Sequence, residues 1–373
     1  MRIGLLVTSV GNFVNKGFYN LQEVGLAHEL DTLFDEVIVY RLVDRHAEPI
    51  SEPINGCRHA TLHLLPSGKV GTNGIPDLKK FDPSLDVLVY FSDTQVFFPL
   101  VYRWCQKNGV RLIPYLGVSK SHSENQLKQR LTNLIFAQNL KSYRKLTCLA
   151  KNPAVRDELI NSGVKNVITT PVGLDMDRLH QDYESTPVST LKNKFGYLPD
   201  EKIILFIGRM TAEKQPCRMI EIFRSVRQTD ASYRLMMVGN GELSDAVQDA
   251  IDRNGLTPYV KRIACIPNKD IWELYRIADC FVNLNQHEIY GMVLLEAMYY
   301  GCKVIAWHAP GPDFIIADGK TGYLAGSNEE TCRLILDSPP LAEQAKTSIL
   351  SDFTWKKTAE TISRLSREDN SIQ

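Results

Sequence analysis

The segment HEIYGMVLLEAM places two carboxylates, Glu288 and Glu296, eight residues apart among apolar neighbours. A strand-like run, CFVNLN, precedes it, and the helical pattern MVLLEAMYYG follows and stops at Gly301. Glu288 therefore falls in the loop at a helix mouth and Glu296 inside the helix. Met292, Val293 and Leu294 lie near the helix start, where free backbone N–H groups receive phosphate oxygens. An ionised carboxylate beside Leu294, Leu295 and Met298 is costly unless it is hydrogen-bonded. A vicinal diol such as ribose supplies such donors, and so would solvent or a distant lysine. In FIGRMTAEK a buried strand ends at Gly208 and is followed by Arg209 and Lys214. A planar fork of donors and a compact charge together suit a diphosphate, although two solvated side chains on a surface loop are the plainer reading. Gly239 and Gly241 in MMVGNGEL form a partial G-x-G-x-x-G, broken by Ser244, which fits close approach of a ligand or an ordinary tight turn equally well.

Other constellations carry less. DGKTG lacks the glycine that a P-loop needs, with Phe314 in its place. Asp175 and Asp177 in DMD are expected in a turn rather than around a metal. His59 and His63 share one strand face without a third ligand nearby, and the eight cysteines show no C-x-x-C spacing, so reduced thiols are expected and no metal site.

The elements that must position these groups follow from length and periodicity. A chain of 373 residues exceeds what a single core usually supports, so two domains are expected. Short aliphatic runs alternate with helical spacings in two series, the pattern of parallel sheets built from βαβ units. The first runs through RIGLLVTS, EVIVYRLV, DVLVYFS, VRLIPYL, KLTCLA and NVITTPV; the second through KIILFIGRM, YRLMMVGN, VKRIACIP, CFVNLN and KVIAWH. The expected boundaries are residues 1–178 for the first domain, 179–200 for a connection and 201–354 for the second domain, with the terminal helix 355–373 packing back on the first. The 43 basic and 43 acidic residues cancel, which argues against a general nucleic-acid binder. No apolar run is long enough for a membrane span and the amino terminus reads as a first strand, so a cytoplasmic protein is expected. In sheets of this kind ligands bind beyond the carboxyl ends of the strands.

With these residues in hand the chain resembles the family 4 retaining glycosyltransferases. GRMTAEK is similar to that family's G-R-x-x-x-x-K element and EIYGMVLLE to its E-x7-E motif, while GCKVIAWHAPGPDFI and DGKTGYL fall where the family has similar text. The resemblance implies an α/β GT-B fold, two Rossmann-like domains with parallel sheets facing across a central cleft. It implies that Arg209 and Lys214 contact the donor diphosphate, that Glu288 bonds a sugar hydroxyl near the reacting face, and that Glu296 binds the ribose. Backbone groups of Gly208, Gly239, Tyr290, Gly291, Met292 and Val293 would hold sugar and phosphate, Cys265 and Ile266 would meet the base, and Gly11 would approach the diphosphate from the first domain. Where many members carry a histidine after a first-domain strand, this chain has Leu116, with Ser119, Lys120 and His122 nearby.

The expected activity is transfer of a sugar from a nucleoside diphosphate sugar, UDP-sugar before GDP-sugar, to a hydroxyl of a glycan, lipid-linked or small acceptor. Retention of configuration is implied, with no cofactor and no metal. Two carboxylates alone would suit a glycosidase, but the paired cations and helix mouth fit a diphosphate leaving group better. A nucleotide-sugar-binding partner subunit without turnover and a nucleotide-sugar epimerase are the alternatives. Residues 127–145 combine helical apolar spacing with cations and no acid. A core-facing helix with a solvated basic side is expected there, and peripheral contact with an anionic membrane is the competing reading.

Overall fold

The computed structural model describes residues 1–10, 21–91, 95–118 and 126–368. It divides into two units, Met1–Asp177 with Thr354–Gln373, and Arg178–Phe353.

The first unit is built on strands β1 (Arg2–Val7), β2 (Glu36–Asp44), β3 (Ile50–Pro53), β4 (Ala60–Ser67), β5 (Lys69–Val70), β6 (Asn73–Gly74), β7 (Val87–Phe91), β8 (Arg111–Leu116), β9 (Thr147–Ala150) and β10 (Asn166–Thr169). Its helices are α1 (Gln22–Leu30), α2 (Phe98–Asn108), α3 (Gln126–Tyr143) and α4 (Pro153–Asn161). The main sheet runs β10-β9-β8-β7-β1-β2-β4-β3, parallel except for β3, while β5 and β6 form a separate ribbon. β7, VLVYF, is buried at every position because helices cover both faces of such a sheet, which is why the strand reads as an unbroken apolar run. The strand read through His59 and His63 is β4, which begins at Ala60, while β3 is an addition that the alternation did not reveal. β3 is exposed throughout and β4 only half-buried, so neither carries a core-like pattern.

The second unit contains α5 (Val188–Lys194), β11 (Lys202–Ile207), α6 (Pro216–Thr229), β12 (Tyr233–Val238), α7 (Ser244–Arg253), β13 (Val260–Ile263), α8 (Trp272–Ile277) and β14 (Cys280–Asn283). It continues with α9 (Met292–Tyr299), β15 (Lys303–Trp307), α10 (Pro312–Ile315), β16 (Tyr323–Ala325), α11 (Asn328–Asp337) and α12 (Ala342–Asp352). Its sheet is parallel, in the order β13-β12-β11-β14-β15-β16. The chain moves outward from β11 through β12 to β13, then returns to β11's other side with β14. That reversal makes β11/β14 the topological switch point, where the loops leaving two adjacent strands part to opposite faces and leave room for a ligand.

Residues 179–200, expected as a connection, belong to the second unit. A 3₁₀ turn at Tyr183–Ser185 and helix α5 occupy them, and Tyr183, Leu191 and Tyr197 are buried. Sparse apolar residues here are spaced by turns rather than by one long period, so the pattern looked like a linker. The terminal helix α13 (Trp355–Arg367) packs on α1 within the first unit, with Trp355 buried and Thr358 Oγ1 donating to the carbonyl of Pro171 at 2.7 Å. The DMD turn is joined by His28 of α1, whose Nδ1 lies 3.4 Å from Asp175 and 3.1 Å from Asp177. Interaction with the Asp175 carboxylate is the main influence raising the pKa of this imidazole, opposed by its partial burial.

Helix α3 departs from the expectation of a core-facing apolar stripe. Phe136 and Tyr143 face inward, but Leu127, Leu131 and Leu134 are exposed. The helix carries apolar residues on two faces, and periodicity alone does not say which one meets the core.

Candidate active site

The switch point of the second unit brings together two of the charged residues singled out above, Lys214 and Glu288. β11 ends at Ile207, and the chain turns through Gly208 into a 3₁₀ segment, Ala212–Lys214, before α6 begins at Pro216. β14 ends at Asn283 and the loop 284–291 leads into α9. Because β11 and β14 are neighbours, two loops 74 residues apart in sequence lie side by side.

At their meeting point Lys214 Nζ donates to Glu288 Oε2 at 2.7 Å. The side chains are 22% and 15% exposed, so the pair is partly withdrawn from water without being sealed off. Two amides converge on the same oxygen, Asn285 Nδ2 at 3.3 Å and Asn283 Nδ2 at 3.4 Å. Each asparagine also turns the backbone: Asn283 Oδ1 accepts from the amide of Asn285, and Asn285 Oδ1 from that of His287, both at i+2 spacing. The Glu288 carbonyl accepts from the Gly311 amide at 2.8 Å, which ties the loop to the segment after β15. Sequence reasoning missed both asparagines. Their signal was the spacing N-x-N-x-x-E at a strand end, which reads first as turn chemistry.

Lys214 is fixed from the other side by Gln215, a non-glycine residue at φ 54° whose Nε2 donates to the Leu284 carbonyl at 2.7 Å. That side-chain bond reaches across to the β14 loop and offsets a left-handed conformation that costs an L-residue about 1 kcal/mol or more. Arg209 is not brought to the pair: its guanidinium is exposed and bonds Glu213 at 2.8 Å. Gly208 lies beneath the stem of Lys214, with a Cβ built there falling 3.7 Å from the lysine Cγ.

Gly239 sits at φ 136°, and a Cβ added there would come within 1.9 Å of the Gly208 carbonyl oxygen. Its requirement for glycine thus comes from the neighbouring β11 loop. The Met210 amide bonds the Asn240 carbonyl across the same contact, so the loops after β11 and β12 form one stacked layer. Cys265, exposed, and Ile266, half-buried, follow β13 on the far side of that layer.

Gly291 caps α9 in the left-handed region at φ 95°, and Met292 and Val293 open the helix as half-buried residues. Their amides belong to the first turn, which has no intrahelical acceptor and carries the positive end of the helix dipole. Tyr290 is buried, its ring edge-on to Phe314 at 6.3 Å. Glu296 is buried and accepts a 2.8 Å hydrogen bond from the Tyr275 hydroxyl of α8. Burial pushes its carboxyl up to about 7, against the lowering effect of that bond, and burial with the nearby carboxyl raises the Tyr275 phenol well above its usual range.

Of the remaining expected site residues, Gly11, Ser119, Lys120 and His122 lie outside the described residues. Leu116 is fully buried in the first unit's core at the end of β8.

The second unit's residues 188–348 match the family model described as Glycosyl transferases group 1. Residues 188–348 are a glycosyl transferases group 1 domain. The chain is 25% identical over 167 residues to the alpha-monoglucosyldiacylglycerol synthase of Acholeplasma laidlawii, covering 44% of this chain and 42% of that one. It is 22% identical over 330 residues to the lipopolysaccharide 1,2-N-acetylglucosaminetransferase of Salmonella typhimurium, covering 77% and 85%. Apart from the Salmonella protein, the chain spans about half the length of the curated relatives it matches. Among solved structures, HepE of Anabaena in complex with UDP aligns over 98% of this chain and 99% of its own, with a TM-score of 0.72 at 16% identity. Sucrose-phosphate synthase from Thermosynechococcus elongatus aligns over 98% of both chains, with a TM-score of 0.76 at 16% identity. The fold is GT-B, with two Rossmann-like units, and the group 1 domain supplies the switch point at which Lys214 and Glu288 meet.

Proposed function

We propose that this protein is a glycosyltransferase that moves a sugar from a nucleoside diphosphate sugar to an acceptor hydroxyl with retention of configuration. The observation that carries this is the convergence of Lys214, Glu288, Asn283 and Asn285 at the β11/β14 switch point, beside the amino terminus of α9. An anionic leaving group needs a cation and helix-start amides, and an oxocarbenium-like sugar needs a carboxylate near its reacting face. This site offers both kinds of group within one loop layer.

In this mechanism the bond between the sugar's anomeric carbon and the diphosphate breaks. Lys214 and the Met292 and Val293 amides meet the charge left on the diphosphate, and Arg209 joins them by exchanging its exposed partner Glu213 for a phosphate oxygen, with no metal required. The leaving phosphate oxygen accepts the proton of the acceptor hydroxyl as that hydroxyl adds to the same face of the sugar. Glu288, held by the two asparagines, orients the sugar and stabilises its developing positive charge rather than attacking it. Glu296 accepts hydrogen bonds from the ribose, Gly208 and Gly239 shape the loop layer beside the phosphates, and Cys265 and Ile266 lie toward the base.

A UDP-sugar is the favoured donor, in keeping with the HepE complexes containing UDP, UDP with glucose, and UDP-glucose. The names of two relatives, a monoglucosyldiacylglycerol synthase and a lipopolysaccharide transferase, favour an acceptor carried on a lipid or lipopolysaccharide. Calorimetric titration with UDP and with GDP tests the donor site. UDP is expected to bind more tightly than GDP, and failure of every nucleoside diphosphate to bind would overturn the assignment.

A further inference from the structure

The outward face of α3 belongs to no part of the site described above. Leu127, Leu131 and Leu134 are 79%, 61% and 68% exposed, three of the four most exposed large hydrophobic side chains among the described residues. At 3.6 residues per turn they fall within an arc of about 60°. Arg130 borders that arc and Lys141 continues it toward the helix end, with Lys145 just beyond; all three are exposed and form no ion pair among the described residues. The opposite face is anchored. Phe136 and Tyr143 are buried, the Tyr143 ring lies 4.6 Å from that of Phe98 on α2, and Asn139 Nδ2 donates to the Gln95 carbonyl at 2.9 Å. The leucines thus point outward because the other face is locked.

Charge singles out the same region. The chain as a whole is neutral, yet residues 94–156 contain eleven Lys and Arg and one acid, Glu124. Two of the eleven, Arg103 and Lys107, are exposed on the neighbouring α2, which has no acid. An apolar stripe rimmed by cations complements an anionic lipid surface, where leucines enter the acyl boundary and cations meet headgroup phosphates. The same charge opposes pairing with a second copy, since two cationic faces would meet.

We propose that α3 docks the protein on an anionic membrane through Leu127, Leu131 and Leu134, with Arg130, Lys141 and Lys145 on the headgroups. This assignment rests on the helix itself and holds whether or not the chain transfers sugars. The full-length protein is sedimented with vesicles of phosphatidylglycerol mixed with phosphatidylcholine, and with phosphatidylcholine alone. Binding is expected to the anionic vesicles only and to weaken with rising salt. Each cation near the surface contributes about fivefold, so changing Arg130, Lys141 and Lys145 together to Gln should weaken binding about a hundredfold. The triple variant L127Q/L131Q/L134Q should weaken it at least about tenfold while unfolding at the wild-type temperature, because its side chains are already in water. Absence of binding to the anionic vesicles at low salt, or wild-type binding by both variants, would overturn the proposal. So would a wild-type dimer, seen by light scattering without lipid, that the leucine variant converts to monomers.

Discussion

Replacing Lys214 with Ala separates a role in chemistry from a role in stability. At 2.7 Å and an effective dielectric constant of about 20, the Lys214–Glu288 attraction is roughly 6 kcal/mol before desolvation is counted. Withdrawing both charges partly from water offsets most of that, and Glu288 keeps the amides of Asn283 and Asn285 when the lysine is gone. The net loss of stability should therefore be about 1 kcal/mol, or about 2–4 °C in unfolding temperature for a unit of this size. In the proposed transition state the comparison is different, because the leaving diphosphate would gain charge where the cation stands. Removing one preorganised group aimed at developing charge typically lowers kcat about 10²–10³-fold. The assay is release of nucleoside diphosphate at saturating donor, run beside a thermal unfolding curve. Lys214→Ala and Glu288→Gln should also combine less than additively, since each releases the other's partner. Turnover of Lys214→Ala within about threefold of wild type, with the protein folded, would refute the reasoning.

Three further variants test the surroundings of the site. Glu296, with its carboxyl raised to about 7, holds its proton in the folded protein over a range where the unfolded chain has lost it. Fewer protons are then bound in the unfolded state, so stability is highest below the unfolded pKa near 4.3, falls as pH rises toward about 7, and levels off above. Urea unfolding should show a loss of about 3–4 kcal/mol across that window, absent in Glu296→Gln; an identical slope in the variant would place the titration elsewhere. Gly239→Ala sets a Cβ 1.9 Å from the Gly208 carbonyl oxygen at φ 136°, and should destabilise by about 3 kcal/mol or more. Gly255→Ala, at φ 64° with open space around it, should lose only about 1 kcal/mol, and equal urea midpoints for the two would contradict the stacked loop layer.

The repeated strands were legible because parallel strands covered on both faces must be apolar at nearly every position, as VLVYF and KIILFI are. β16, three residues long, and β3, exposed throughout, carry too little of that pattern to be read. The charged residues of the site were legible as types at strand ends: Lys214 after β11, Glu288 after β14. Their pairing was not, since it depends on β14 returning beside β11, a fact of topology rather than of local spacing. The same limit hid Tyr275, 21 residues from the carboxyl it bonds, and Gln215, whose left-handed backbone no propensity would suggest. Arg209 shows the opposite case. Its spacing from Lys214 promised a joint grip, while the structure pairs it with Glu213 four residues away.

The most direct test is to follow a panel of nucleoside diphosphate sugars by nuclear magnetic resonance in the presence of the protein and candidate hydroxyl acceptors. Sugar transfer at the Lys214–Glu288 site predicts that nucleoside diphosphate appears in step with a new glycoside whose anomeric configuration matches the donor's, and that Lys214→Ala suppresses both signals. A donor that is epimerised with its diphosphate still attached, or bound tightly without turnover across the panel, would contradict it.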